Sequence, residues 1–368
     1  MKKAVRLFGL SWLVFLVMGG PGCARDRQMI AWESDLVSAQ KHEIRGNTAV
    51  ALDRYRELEK SSLTAVDADR MRLAQARVLL KEERIKEAAN LYETVSNSAK
   101  GRRERARARY ELGVLLASVT SDRAVLPYLR RLVLTFPDLM PGSTALLRLQ
   151  AAAAEGSTQE RLEHLNWSLA HYDRLSGTGL GDNLLYFAAR EAVRNFHAGD
   201  VYAEETARIL LQAVVDRHPM GNSADDALRD LSYLEESQGD WEETIRHIRS
   251  IQRRRETMAL LGSHQHRFYW MGDLRIARIL GEKLQRPTEA IALYRRFVDT
   301  YGDSIWRDDA LYWMGCLHQR LKETKKARIL FDRILKEEPE SRYTQRIQAA
   351  LDAPASGSCI PREFQHTW

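Results

Sequence analysis

Histidine and cysteine side chains are the first candidates for chemistry in this sequence, because both can ligate transition metals. Only two pairs fall close together, His264 with His266 and Cys316 with His318. A zinc site needs three or four such ligands at defined spacing, and no third or fourth ligand accompanies either pair. The sequence therefore predicts no metal site.

Motifs for catalysis or nucleotide binding are equally weak. The glycine-rich string Gly177–Gly181 does not have the order of a dinucleotide-binding loop, and no apolar strand precedes it. We interpret it as a turn between helices. The sequence has no GxSxG elbow, HExxH helix or P-loop lysine motif. We therefore predict that the protein is not an enzyme and uses no cofactor.

Two basic clusters, Arg102–Arg109 and Arg246–Arg255, could in principle contact nucleic acid. The first alternates arginine with Glu104 and alanine ahead of an apolar helix face. A net charge of +6 is mild for 368 residues. We interpret both clusters as solvated helix faces, with anionic lipid or glycan as the alternative contact, and predict no nucleic-acid partner.

The elements that position these residues are helices, since strong helix formers dominate and strand-type alternation is scarce. A small residue followed four positions later by an aromatic one recurs after 37 residues, in two places. The pairs are Ala51 and Tyr55 with Ala88 and Tyr92, and Ala290 and Tyr294 with Ala327 and Phe331. This period predicts stacked helical hairpins.

The segment from Asp308 to Pro339 resembles the tetratricopeptide repeat. Its large, small, aromatic and proline positions are Leu311, Met314, Gly315, Ala327, Phe331, Ile334 and Pro339. The same string opens two copies, Asp225-Asp226-Ala227-Leu228 and Asp308-Asp309-Ala310-Leu311. The resemblance implies an all-α, right-handed superhelical solenoid of about eight to nine hairpins over residues 24–350, with a weaker copy between Gly142 and Gly181. Residues 351–368 are expected to form an irregular tail.

In tetratricopeptide repeat proteins the first helix of each hairpin lines a concave groove that binds partners. Carrying those groove positions onto this chain gives the candidates Tyr110, Arg229, Tyr233, Arg275, Tyr312 and Arg320. Tyrosine and arginine favour interfaces. The resemblance therefore implies a groove suited to an acidic peptide or a terminal carboxylate.

The first 23 residues have the features of an export signal. Lys2, Lys3 and Arg6 precede the apolar stretch Leu7–Met18, which is too short to span a bilayer comfortably. The following small residues and Cys23 resemble a bacterial lipoprotein signal, which implies a lipid anchor on Cys23 and placement at the outer membrane, facing the periplasm. Ordinary signal cleavage after Ala24 is the alternative.

Besides Cys23 the chain has two cysteines, Cys316 and Cys359. An oxidising compartment would permit a disulfide between them, which would pin the tail to the last repeats. Alternatively, Cys316 is a small buried hydrophobe and Cys359 a free thiol.

Repeat ends such as Pro219 with Ser223 and Pro339 with Ser341 resemble those of the envelope lipoproteins related to BamD and of the CpoB family. The resemblance implies a scaffold or adaptor for protein partners in outer-membrane assembly, or in a pilus, secretion or motility machine. A cell-wall or division-linked coordinator of the CpoB type is the alternative, and a repeat-built peptidoglycan hydrolase is a third hypothesis.

Overall fold

A computed structural model describes residues 21–257 and 268–352 of the chain. Within these ranges there are seventeen helices and no β-strand. The helices are α1 Pro21–Ile44, α2 Thr48–Lys60, α3 Ala65–Lys81, α4 Ile85–Ser98, α5 Arg102–Val119, α6 Asp122–Thr135, α7 Met140–Glu155, α8 Thr158–Leu175, α9 Gly181–His197, α10 Ala203–Arg217, α11 Ala224–Gln238, α12 Trp241–Thr257, α13 Phe268–Glu282, α14 Pro287–Thr300, α15 Arg307–Arg320, α16 Thr324–Glu337 and α17 Thr344–Asp352. The chain divides into two compact units, Met1–Ala152 and Ala153–Trp368.

The first unit is built mainly from α1 to α6, and each helix from α1 to α5 packs against the next one in the chain. Short connections make neighbouring helices antiparallel. The Thr64 Oγ1 atom accepts a hydrogen bond from the backbone N–H of Asp67 at 3.1 Å. Ser121 Oγ accepts one from Ala124 N–H at 3.2 Å. These caps fix the beginnings of α3 and α6, because they satisfy N–H groups that lack a partner in the helix.

The second unit contains α8 to α17, which also pack in chain order. Local sequence sets several helix ends. Ser157 and Glu160 form a capping box at the beginning of α8. Gly239 ends α11 with φ of +80°, a conformation that favours glycine. Pro287 occupies the first position of α14, where its missing N–H costs nothing.

The small and aromatic positions of the 37-residue period form the helix crossings. Ala51, Tyr55, Ala88 and Tyr92 are all buried in the core of the first unit. Ala290, Tyr294, Ala327 and Phe331 are buried in the core of the second. The prediction of an all-α protein of consecutive helical hairpins is therefore confirmed for the part of the chain that the structure describes.

Hydrogen bonds join the beginning of one hairpin to the beginning of the next, and we call them start-to-start bonds. The Tyr343 hydroxyl, just before α17, donates to Asp309 Oδ1 in the first turn of α15 at 2.6 Å. In the same way the Tyr269 hydroxyl of α13 donates to Asp225 in the first turn of α11. The repeated Asp-Asp-Ala-Leu string thus supplies acceptors for the following hairpin.

The predicted ends of the signal segment and of the solenoid lie near the first and last residues that the structure describes. Residues 1–20 of the predicted signal fall outside it, and Cys23 lies in the first turn of α1, with a side chain that the structure does not describe. The helix α17 extends to Asp352, so the described chain is still helical at the beginning of the predicted tail, and residues 353–368 lie outside. No helix in 21–257 or 268–352 is both long and apolar enough to cross a membrane.

Candidate partner-binding surface

Two of the predicted groove residues contact each other between the first helices of neighbouring hairpins. The guanidinium of Arg275, on α13, lies 4.6 Å from the centroid of the Tyr233 ring on α11. The same guanidinium forms an ion pair with Glu236. The side chains of Arg275 and Glu236 are only 9% and 6% exposed. This cation–π contact and ion pair therefore hold two hairpins together.

Arg229, also on α11, belongs to a polar network with α9. Its guanidinium donates to Asp226 Oδ1 at 2.6 Å and to Asp230 Oδ1 at 2.7 Å. It also donates to the hydroxyl of Tyr186 at 2.9 Å, and that hydroxyl donates to Asp230 Oδ2 at 2.9 Å. Burial, and then the charge of Asp230, raises the pKa of Tyr186. The carboxylates of Asp226 and Asp230 therefore offset most of the positive charge of Arg229.

The two candidates on α15 have opposite environments. Tyr312 is buried, and its ring stacks on that of Tyr343 with centroids 4.0 Å apart and an interplanar angle of 12°. Arg320 is exposed. It donates to the backbone oxygen of Gly281 at 2.9 Å and to the side chain of Gln285, both from the α13 side. The guanidinium of Arg320 is thus held in place and open to solvent.

The sixth candidate, Tyr110, lies on α5 of the first unit and is half-buried. The other five lie in the second unit, on α11, α13 and α15. The structure brings Tyr233 into contact with Arg275 and places Arg229 one turn before Tyr233 on α11. Whether any of the six binds a partner stays a prediction.

A cleft of about 240 Å³ separates the C-terminal halves of α13 and α15. Its lining includes Arg278, Glu282, Trp313, Cys316 and Arg320. Arg278 lies 5.3 Å from the Trp313 ring centroid and 3.2 Å from a carboxylate oxygen of Glu282. Burial raises the pKa of Glu282, against the influence of Arg278. The cleft is small beside typical ligand pockets, and suits one or two side chains of a peptide.

Arg278 and Trp313 are functional candidates that sequence reasoning missed. Arg278 follows Arg275 by three residues and therefore shares its helix face, so the groove positions could have indicated it. Trp313 neighbours the buried Tyr312. No sequence signal distinguishes which of two adjacent aromatic residues enters the core and which lines a cleft.

The pair Cys316 and His318 is engaged in other interactions. Cys316 is buried and disulfide-bonded. The Nδ1 atom of His318 is hydrogen-bonded to the carboxylate of Glu323. Cys359, the partner considered for Cys316, lies outside the described residues, as do His264 and His266. Within those residues no group of three metal-ligating side chains is present.

Both basic clusters form ion pairs on their own units. In the first, Arg102 donates to Asp138 Oδ1 at 2.6 Å, and its guanidinium lies 5.6 Å from the Phe136 ring centroid. In the second, Arg246 pairs with Glu243, and Arg254 pairs with Asp225. These contacts offset part of the positive charge that makes the clusters conspicuous in the sequence.

The geometry is that of a helical repeat protein with side-chain clefts between first helices. Residues 272–304 and 309–341 match the sequence model of the tetratricopeptide repeat. The two matches coincide with the hairpins α13–α14 and α15–α16. The chain therefore contains tetratricopeptide repeats, the class of repeat that the sequence resembles, and such repeats act in protein–protein interaction.

The solved structures that are similar to the chain include two that cover most of its length. A tetratricopeptide repeat protein from Parabacteroides merdae is 11% identical, with 87% of this chain and 97% of that chain covered and a TM-score of 0.27. Acl4, an assembly chaperone of RpL4, is 14% identical, with coverage of 80% and 98% and a TM-score of 0.26. At these TM-scores neither structure supports an argument about this chain. No curated protein matches it.

Proposed function

We propose that the protein is a non-catalytic scaffold that binds a protein partner in a bacterial envelope complex. The observation that carries the proposal is the pair of tetratricopeptide repeats at 272–304 and 309–341, with a cleft between their first helices. Export is supported by the basic and apolar residues ahead of Cys23. A lipid on Cys23 would hold the scaffold at the outer membrane, where its repeats would face the periplasm.

The cleft between α13 and α15 favours an extended acidic peptide or a terminal carboxylate as ligand. Arg320 is exposed and fixed by its contacts with Gly281 and Gln285, so little side-chain entropy is lost when it pairs with an anion. The forked guanidinium can donate two parallel hydrogen bonds to the oxygens of one carboxylate. Trp313 adds an apolar wall, and aromatic residues beside arginine are frequent energetic centres of interfaces.

The test of this surface is recovery of partners from detergent-solubilised envelopes. We expect Arg320→Ala to reduce the recovered partner by about tenfold, the effect of losing one strong interface contact. Arg328→Ala is the matched control, since Arg328 lies on the second helix α16 and its side chain is 71% exposed. Equal recovery with both variants would remove the α13–α15 cleft from the proposal.

The identity of the recovered proteins separates the envelope hypotheses. A β-barrel or a trans-envelope component supports an adaptor in outer-membrane assembly or in a secretion, pilus or motility machine. Cell-wall enzymes or Tol-Pal components instead support the division-linked coordinator. Release of soluble fragments from peptidoglycan by the purified protein would contradict a non-catalytic function.

The anchor is tested separately by intact mass. We expect the mature wild-type protein to carry acyl mass on Cys23, and Cys23→Ser to accumulate without it. A wild-type protein that begins after Ala24, or that lacks acyl mass, would exclude the lipid anchor and leave the scaffold proposal in place.

A further inference from the structure

A second cleft, of about 480 Å³, lies between α10 and α12, which are the second helices of the hairpins α9–α10 and α11–α12. Its volume is about twice that of the α13–α15 cleft, and it falls in the range of about 300–1,000 Å³ that is typical of ligand sites. Its α10 side runs from Arg208 to Arg217, a rise of about 13 Å along the helix. The cleft is therefore long enough for about four residues of an extended peptide.

Part of the lining is apolar. Ile209 and Ala213 lie one turn apart on the same face of α10, and Leu231 of α11 adds to the lining. Leu231 is buried, whereas Ile209 is 58% exposed. A partner side chain that covered Ile209 would remove this apolar surface from water, which is favourable. The apolar part of the cleft therefore suits an aliphatic side chain.

The two carboxylates in the lining already have partners inside the unit. Glu235 accepts a hydrogen bond from Arg208 Nε at 3.1 Å. Asp216 Oδ1 accepts one from Gln212 Nε2 at 2.8 Å. Arg208 also donates to carboxylates earlier on α10, so its own charge is balanced. These four side chains leave the recognition of a ligand to other groups of the cleft.

Two polar side chains of the lining lack such partners. Arg217 is exposed and lies 5.5 Å from the centroid of the Tyr172 ring on α8, and no carboxylate that the structure describes pairs with it. His247 of α12 is only 5% exposed, yet it forms no hydrogen bond with any other described residue. Buried polar groups are normally hydrogen-bonded, so the imidazole of His247 indicates a ligand group that completes it.

The chemistry of these two side chains defines the ligand. Burial, and then the charge of Arg246, lowers the pKa of His247, so its imidazole is neutral near pH 7 and has one donor and one acceptor nitrogen. A peptide backbone offers both a carbonyl and an N–H group, and can therefore satisfy either tautomer. The guanidinium of Arg217 favours a carboxylate, the anion that peptide side chains carry.

We propose that the cleft between α10 and α12 is a second binding site for a protein partner, and that it takes a short peptide segment in which an aliphatic side chain lies beside a carboxylate. The aliphatic group packs on Ile209 and Leu231, the peptide backbone bonds to His247, and the carboxylate pairs with Arg217.

The new site and the α13–α15 cleft lie on different helices of the same unit. The new site is formed mainly by second helices, whereas the other cleft lies between first helices. A protein with both sites would join two partners. The assignment of the α10–α12 cleft does not depend on binding at the α13–α15 cleft, and the recovery experiment with Arg320→Ala tests that other cleft separately.

The probe for this site is a phage-displayed library of random peptides of about 12 residues. It is selected on the immobilised full-length chain and counter-selected on Ile209→Asp, which replaces the apolar contact with a repelling charge. We expect the enriched peptides to have an aliphatic residue within two positions of an aspartate or glutamate. Synthetic copies, titrated by fluorescence anisotropy, should bind Arg217→Ala about threefold or more weakly than the wild type, because a charge-assisted contact is lost.

Ile329→Asp is the matched control. Ile329 is 66% exposed and follows the buried Ala327 of α16 by two residues, as Ile209 follows the buried Ala207 of α10. The selected peptides should bind this variant as they bind the wild type. A selection without enriched peptides, enrichment of basic or wholly polar sequences, or equal affinity for Arg217→Ala and the wild type would overturn the proposal.

The contact with His247 is read by NMR. Its imidazole Cε1–H resonance is the one that is missing from the spectrum of His247→Gln. We expect a selected peptide to shift this resonance in the wild type and in Ile329→Asp, and to leave it in place in Ile209→Asp at the same peptide concentration. A resonance that does not move when the peptide saturates the wild type would overturn the placement of the peptide in this cleft.

Discussion

Gly315 of α15 lies directly against the ring of Phe331 of α16, so that a Cβ atom at Gly315 would come within 2.5 Å of Phe331 Cε1. Phe331 is buried and its ring is tilted against that of Tyr312, with centroids 6.0 Å apart and an interplanar angle of 39°, so its ring has little room to move. This contact sets how closely the two helices of the last matched repeat approach each other.

We expect Gly315→Ala to lower the free energy of unfolding by about 1–3 kcal/mol, because overpacking in a tight core outweighs the gain in helix propensity. Urea unfolding measures the effect. Gly302→Ala is the matched control, since its Cβ would meet only the backbone oxygen of Val298, at 3.6 Å. Equal stability of the two variants would contradict a close crossing at Gly315.

The ion pair between Arg275 and Glu236 is the basis of a second prediction. Arg275→Ala should cost about 3–5 kcal/mol of stability, because it leaves a buried carboxylate without its cation. Arg275→Ala combined with Glu236→Leu should recover much of the loss. Arg328→Ala, at a side chain 71% exposed, should change stability by less than about 0.5 kcal/mol. A double variant as unstable as Arg275→Ala alone would argue against the pair.

The start-to-start bond between Tyr343 and Asp309 can be removed by deleting a single oxygen atom, the hydroxyl of Tyr343. Tyr343→Phe keeps the stacking on Tyr312 but deletes the hydroxyl that donates to the buried carboxylate. We expect a loss of about 1–3 kcal/mol, read from the midpoint of urea unfolding. Tyr202→Phe is the control, because Tyr202 is 86% exposed. A loss no greater than that of the control would show that the bond contributes nothing.

Glu43 should make the first unit sensitive to acid. Hydrogen bonds from Arg77, with Lys81 and Tyr55 assisting, lower the pKa of Glu43 from 4.5 to about 2. A depressed carboxylate pKa contributes stability above the unfolded value near 4.5, and that contribution is lost as the pH falls towards 2.

Glu43→Gln should therefore destabilise the protein by about 1.5–3 kcal/mol at pH 7, and the difference from the wild type should shrink between pH 4.5 and about 2. Urea unfolding at a series of pH values follows both chains. Glu57→Gln, at a side chain 73% exposed, should show no such convergence. A constant gap for Glu43→Gln across this range would contradict the assigned pKa.

The helices and their crossings could be predicted from the sequence because they depend on local spacing. The positions of Ala290, Tyr294, Ala327 and Phe331 repeat with the period of the hairpin, and all four are buried as expected. Pro339 follows α16, which ends at Glu337, since proline does not continue a helix.

The environments of the site residues could not be predicted in the same way. Tyr312 and Arg320 are both groove positions by resemblance, yet one is buried and the other exposed. The difference arises because Tyr343, 31 residues further along the chain, stacks on Tyr312. Such contacts depend on how one hairpin is displaced against the next, and the helical period carries no information about that displacement.

The start-to-start bonds also affect the order in which the hairpins of the second unit unfold. Each of these bonds draws its donor from the later hairpin and its acceptor from the earlier one, as with Tyr343 and Asp309. When α17, the last helix that the structure describes, frays, Asp309 loses its tyrosine donor while still lying in a largely apolar crossing. Fraying at the C-terminal end would therefore weaken the hairpin before it, so that melting is expected to spread inward from that end rather than stop at one repeat.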